Sequence, residues 1–149
     1  DKEQRAPRDL PDGRDVIGIL RGEPDHCGVA RFWQWNRYSP VGTCNAAMRD
    51  GPWKLIRPVI HEAMWLTQDD LDMDRRLKYE PEGITDISRD PEPERSIPDP
   101  PPALLFNIDE DPFEEHDLSN EHPGVVDRMQ RELDNWFHSV EADRLSIDD

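Results

Sequence analysis

A chain of 149 residues with a formal net charge of −16 is a poor partner for nucleic acid, where affinity comes from Lys and Arg neutralising phosphates. Only 34% of its residues are hydrophobic against 35% charged, and 15 are proline. That balance predicts one modest core with a large share of loop or extended chain, and no apolar run is long enough for a helical membrane span.

Residues 1–13 are polar, carry Pro7, Pro11 and the turn pair Asp12-Gly13, and begin without Met. They read as a linker from an upstream domain and not as a signal peptide. Arg14–Arg21 (RDVIGILR) sets Val16, Ile17 and Leu20 at helical spacing with Gly22 as the stop, predicting one or two helical turns that dock against something. Ala30–Tyr38 (ARFWQWNRY) is rich in aromatics and reads as a strand, with Trp33 and Trp35 facing the same way. Ser39-Pro40 turns the chain into Cys44–Pro58, which reads as a β-hairpin. With Asp50-Gly51 as the turn, Met48 lies opposite Trp53 and Ala46 opposite Leu55, so that these four share an apolar face. Ala47, Arg49 and Lys54 then share the other face. Pro52 has no N–H for the ladder and leaves room for a slightly longer loop.

Val59–Pro102 is acidic and Pro-rich and reads as an insertion. Thr67 with Asp70 resembles a helix-capping pair, so a short helix is predicted from about Gln68 to Lys78. From Glu80 to Pro102 the expectation is extended or mobile chain without a core of its own. Ala103–Asp109 (ALLFNID) is the fourth predicted strand. The last element is a helix from about Pro123 to Arg144, with Pro123 at its first position and an apolar stripe of Val126, Met129, Leu133, Trp136, Phe137 and Val140. The expected fold is therefore α+β: a four-stranded antiparallel sheet with a long C-terminal helix packed on one face, plus the Pro-rich excursion.

Chemistry is sparse. His26, His61, His116, His122 and His138 form no HExxH or paired-ligand spacing, and the sequence has no CxxC, GxSxG, P-loop or GxGxxG. Cys27 and Cys44 are compatible with one disulfide or with two buried thiols. The acidic string Ile108–Asp117 (IDEDPFEEHD) lacks the central Gly and terminal Glu of a calcium loop and reads as a solvated turn. Trp33, Trp35, Trp53 and Tyr38 form either an aromatic binding wall or packing between sheet and helix, the latter expected for Trp53 and one face of the first strand. Arg37, Arg49 and Lys54 are the cations best placed to meet an anionic ligand, beside the uncovered hairpin face.

Five stretches, in order, resemble the C-terminal region of the formylglycine-dependent sulfatases. They are Asp12–Glu23 (DGRDVIGILRGE), Arg31–Asn36 (RFWQWN), Ala47–Leu55 (AMRDGPWKL), Leu105–Leu118 (LFNIDEDPFEEHDL) and His122–Phe137. The resemblance covers most of the chain outside Val59–Pro102. It implies a small subdomain, residues 14–149, packed on an upstream catalytic domain. In that family the upstream domain holds calcium and a formylglycine made from the Cys of C-x-(P/A)-x-R, and it hydrolyses sulfated carbohydrates or other sulfate esters. It also implies a periplasmic or secreted location.

The catalytic residues do not carry over. CGVAR (Cys27–Arg31) has Val29 where Pro or Ala is expected and follows the first helix, where the family has no nucleophile; CNAAM (Cys44–Met48) has Met48 in place of Arg. No catalytic residue, metal ligand or cofactor is assigned to this chain, which is expected to be inactive alone. Its expected role is to complete a sulfatase fold and shape the substrate entrance through Trp35, Arg37, Tyr38, Arg49 and Lys54. The alternative is a stand-alone acidic module that binds carbohydrate or another partner.

Overall fold

The computed structural model describes residues 17–23, 28–84 and 92–146. The predicted linker 1–13, the start of the first helix and Cys27 lie outside them.

The first element, α1 (Ile17–Leu20), is one helical turn that buries none of its side chains. It stops as the sequence predicts. Gly22 takes φ +83°, the Glu23 N–H reaches the Gly18 carbonyl at 3.0 Å, and the Gly22 N–H reaches that of Ile19 at 2.9 Å. That is the double bond of a Schellman cap, open to glycine because it lacks a Cβ.

Four strands follow: β1 (Arg31–Gln34), β2 (Ala46–Asp50), β3 (Trp53–Arg57) and β4 (Leu104–Asn107). They form one antiparallel sheet in the order β1-β2-β3-β4. Two expectations about it change. The hairpin pairs Asp50 with Trp53 and Met48 with Leu55, two residues from the predicted register. Gly51 and Pro52 make the loop, with Gly51 at φ +56°. This arrangement removes Pro52 from the ladder, where its missing N–H would cost a hydrogen bond. A slip of two preserves the faces, so Ala46, Met48, Trp53 and Leu55 still share one side.

The first strand is also shorter than Ala30–Tyr38. The Asn36 carboxamide oxygen accepts from Gln34 Nε2 at 2.9 Å and from the Val41 N–H at 3.2 Å, while the Arg37 N–H goes to the Ala63 carbonyl at 3.0 Å. The Trp35 N–H still reaches the Asn45 carbonyl at 3.0 Å, but the Arg37 N–H has left for the insertion, and β1 ends.

The long helix α3 (Pro123–Leu145) lies across one face, with Pro123 in its first turn. Met48, Leu55, Leu105, Met129 and Leu133 are fully buried between sheet and helix, and Phe32, Trp53, Val126 and Trp136 pack around them. Phe32 stacks on Trp136 with ring centroids 5.2 Å apart. Phe137 sits so close to Gly42 that a Cβ there would lie 2.9 Å from its ring. Polar links tie the helix to the sheet near its N-terminal end and at its middle. Arg57 donates to Asp134 at 2.7 Å and Arg128 to Asp50 at 2.7 Å.

The insertion carries a 3-10 turn (His61–Met64), α2 (Gln68–Tyr79) and an extended return. Thr67 and Asp70 form the predicted capping box reciprocally. No residue of α2 is buried, yet the insertion is not loose throughout. Ile60 and Ala63 bury themselves against Cys44, with Val41 and Ile97 packed beside them.

Candidate functional site

The two faces of the sheet differ in cover. Alternation places Trp33 of β1, Ala47 and Arg49 of β2, Lys54 and Ile56 of β3, and Phe106 of β4 on the side away from α3. Loop 108–118 closes the β4 end of this side. Leu105 donates its N–H to Asp117 at 3.0 Å and accepts from the Leu118 N–H at 2.8 Å, while Lys54 reaches Glu114. Phe106 is buried there. Towards β1 nothing covers the face among the described residues. Trp33 is 51% exposed, Trp35 66% and Val59 61%. With Ala47, Ile56 and Met64, and with Phe32, Ala46 and Trp136 from the α3 side of the β1 edge, they line an open apolar depression of about 630 Å³.

The five residues expected at a substrate entrance do not converge. Trp35 follows the end of β1 and projects into solvent. Arg37 pairs loosely with Asp74 at 3.9 Å. Tyr38 takes φ 54°, which costs a non-glycine residue roughly 1–2 kcal/mol, and its hydroxyl donates to Asp70 while accepting from the Thr67 N–H at 3.3 Å. The Arg95 guanidinium lies over the Tyr38 ring, 5.1 Å from its centroid. Arg37 and Tyr38 thus gather at α2, while Trp35 stands at the β1 edge near α3. Arg49 and Lys54 stand at the hairpin-loop end of the sheet, facing Asp109 at 3.8 Å and Glu114 respectively. Each of these three cations thus has a carboxylate beside it, so an anionic ligand would have to displace one.

The thiol of Cys44 is free and buried, and burial pushes its pKa up, which makes it unreactive. Cys27 lies outside the described residues, so the buried thiol is shown for Cys44 alone. In the acidic string, the ligand atoms of Asp111, Glu115 and His116 lie within 4.8 Å of one another. Asp111 is already engaged. Its carboxylate accepts the His116 N–H at 2.9 Å, and that bond above all holds its pKa below the ordinary carboxylate value. The group orders a turn, and its other two members are exposed.

Sequence reasoning missed Arg95. Its side chain is 6% exposed and donates to the carbonyls of Arg37 at 2.7 Å, Ala63 at 3.2 Å and Ser39 at 3.1 Å. It pairs with Glu92 as well. The available signal was one arginine in a run of Pro and Glu, too little to place it. Compared with known protein families and with curated proteins, the chain matches none. Among the described residues no helix is long and apolar enough to cross a membrane.

Proposed function

We infer that this chain serves as the C-terminal subdomain of a formylglycine-dependent sulfatase, completing the fold of an upstream catalytic domain. The observation that carries the reading is the bare sheet face. Among the described residues, a sheet sealed by α3 on one side leaves Trp33 in solvent on the other, with Trp35 and Val59 exposed at the same β1 edge, and an apolar patch of this kind marks a docking surface. Helix α1, which buries no residue, adds Leu20 at 79% exposure. The meander with one long helix agrees with the subdomain that the five sequence stretches imply.

The test is the mass of the native product in its source, read by immunoblot with an antibody against this chain. A product roughly three to four times the chain's mass supports the reading, since a large catalytic domain then precedes a small one. A native mass of 17.4 kDa overturns it. In the full-length enzyme, replacing Arg49 and Lys54 together by Ala is expected to raise KM for an anionic ester several-fold with kcat nearly unchanged. An unchanged KM removes these two residues from the entrance.

A second reading is favoured by the same tryptophans. Two solvent-facing indoles beside one sheet face make a stacking platform for sugars, as a stand-alone acidic carbohydrate-binding module would use. The smaller native mass would bring this reading forward.

A further inference from the structure

A second cavity, of about 440 Å³, opens in the insertion between His61, Glu62 and Trp65 on one side and Glu94, Arg95 and Ser96 on the other. Its volume falls within the range of small-molecule sites, roughly 300–1,000 Å³. The two walls are far apart in sequence and are joined by Arg95 and by Ile97, which packs on the Ile60, Ala63 and Cys44 cluster. Arg95, from the second wall, donates to the Ala63 carbonyl in the first at 3.2 Å. With its other bonds to Arg37, Ser39 and Glu92, the guanidinium is occupied by the scaffold. The cavity is therefore preorganised, and its one arginine has little donor capacity left for a ligand.

What remains for a ligand is an aromatic face and negative charge. Trp65 is 52% exposed. Glu62 and Glu94 are exposed, and neither makes a hydrogen bond or ion pair with a described residue. The nearby carboxylates of Asp70 and Glu92, by contrast, are held by the scaffold.

We propose that this cavity binds a small organic ammonium cation, its alkyl groups against the Trp65 indole and its charge facing Glu62 and Glu94. Tryptophan offers a cation the strongest aromatic face of the side chains. The net charge of −16 raises the local concentration of cations around the protein. An anion would meet two carboxylates and an arginine already committed. A neutral sugar would gain no attraction from the charge of the two carboxylates. The inference concerns residues outside the five sulfatase-like stretches and does not rest on that reading.

The probe is tetramethylammonium chloride, titrated into the full chain, or the longer protein containing it, with NaCl adjusted to hold ionic strength constant. The readout is the indole N–H resonance of Trp65 in ¹⁵N–¹H spectra, assigned by its disappearance in Trp65→Phe. A saturable shift of that resonance is expected. Glu62→Gln combined with Glu94→Gln should weaken binding about tenfold, as loss of two partly exposed charge contacts implies. Both side chains are exposed and make no bond to the described scaffold, so the variant should keep the parent circular dichroism spectrum. Three results would overturn the proposal: no saturable shift at Trp65, unchanged affinity in the double variant, or an equal shift with the neutral isostere tert-butanol. Saturation by methyl β-glucoside in place of tetramethylammonium would also overturn it, and would mark a neutral sugar site.

Discussion

The sheet with α3 and the Val59–Pro102 insertion are held by different forces. The first is closed by large apolar side chains, with Met48, Leu55, Leu105 and Met129 at 0% exposure and Leu133 at 1%. Among its described residues the second buries only Ile60 and Ala63 against Cys44, and it relies chiefly on two polar clasps besides the Asn45 bonds to Ile60. One clasp joins Tyr38, Thr67 and Asp70; the other is Arg95 on three backbone carbonyls. Apolar burial is non-directional and indifferent to protonation, whereas hydrogen bonds to charged groups are directional and follow pH. The two regions should therefore fail separately.

The largest effect is expected in the apolar region. Leu133→Ala should cost about 2–5 kcal/mol, because a fully buried side chain leaves a cavity, and urea denaturation measures it. A loss within the range of a surface substitution would mean that α3 does not hold the core. Arg95→Met should cost about 1–3 kcal/mol by leaving three carbonyls short of a donor. Its effect should be local: faster amide exchange at 60–67 and easier proteolysis of the insertion, with exchange in β2 and β3 unchanged. Simultaneous loss of protection in both regions would erase the distinction between them.

Thr67→Ala should cost about 1 kcal/mol, the usual value of an N-cap, confined to α2. The smallest effect concerns acid. Hydrogen bonds from Thr67 and then Tyr38 lower the pKa of Asp70, and those from Ser39 and then Arg95 lower that of Glu92. A depressed folded-state pKa contributes stability above the unfolded value, about 3.9 for Asp and 4.3 for Glu, and loses it as pH falls through the folded value. Below about pH 4 the amides of the insertion should therefore exchange faster before those of the sheet do. Thr67→Ala should move that transition to higher pH by removing the leading hydrogen bond on Asp70. Equal acid sensitivity of both regions would count against polar docking.

Much of the architecture was legible because it follows from local pattern. Pro123 and the stripe of α3 gave a helix that ends one residue beyond the predicted Arg144. Thr67 with Asp70 gave α2 to within a residue. The hairpin's faces followed from alternation, but its register did not. A Pro that cannot enter a ladder outweighed the Asp50-Gly51 turn signal and moved the loop to Gly51-Pro52. The extent of β1 was misjudged because the Arg37 N–H turns to the Ala63 carbonyl of the insertion and Tyr38 takes φ 54°, neither of which local pattern shows. The candidate site was less legible still. Arg37, Arg49 and Lys54 each face a carboxylate at least 37 positions away (37 to 74, 49 to 109, 54 to 114), and spacing carries no information about such partners.

By itself, the sequence determined the number and type of the main elements, the caps of two helices and which sheet face would be apolar. Those properties depend on the 3.6- and 2-residue periods and on caps a few residues long. Only the tertiary structure decided that loop 108–118 covers the opposite face at β4 while, among the described residues, it stays uncovered towards β1. It also joined His61–Trp65 to Glu94–Ser96 around a cavity and used Arg95 as the pin. Burial and long-range hydrogen bonds depend on which distant segments meet, and that is a property of the closed fold, not of any one stretch.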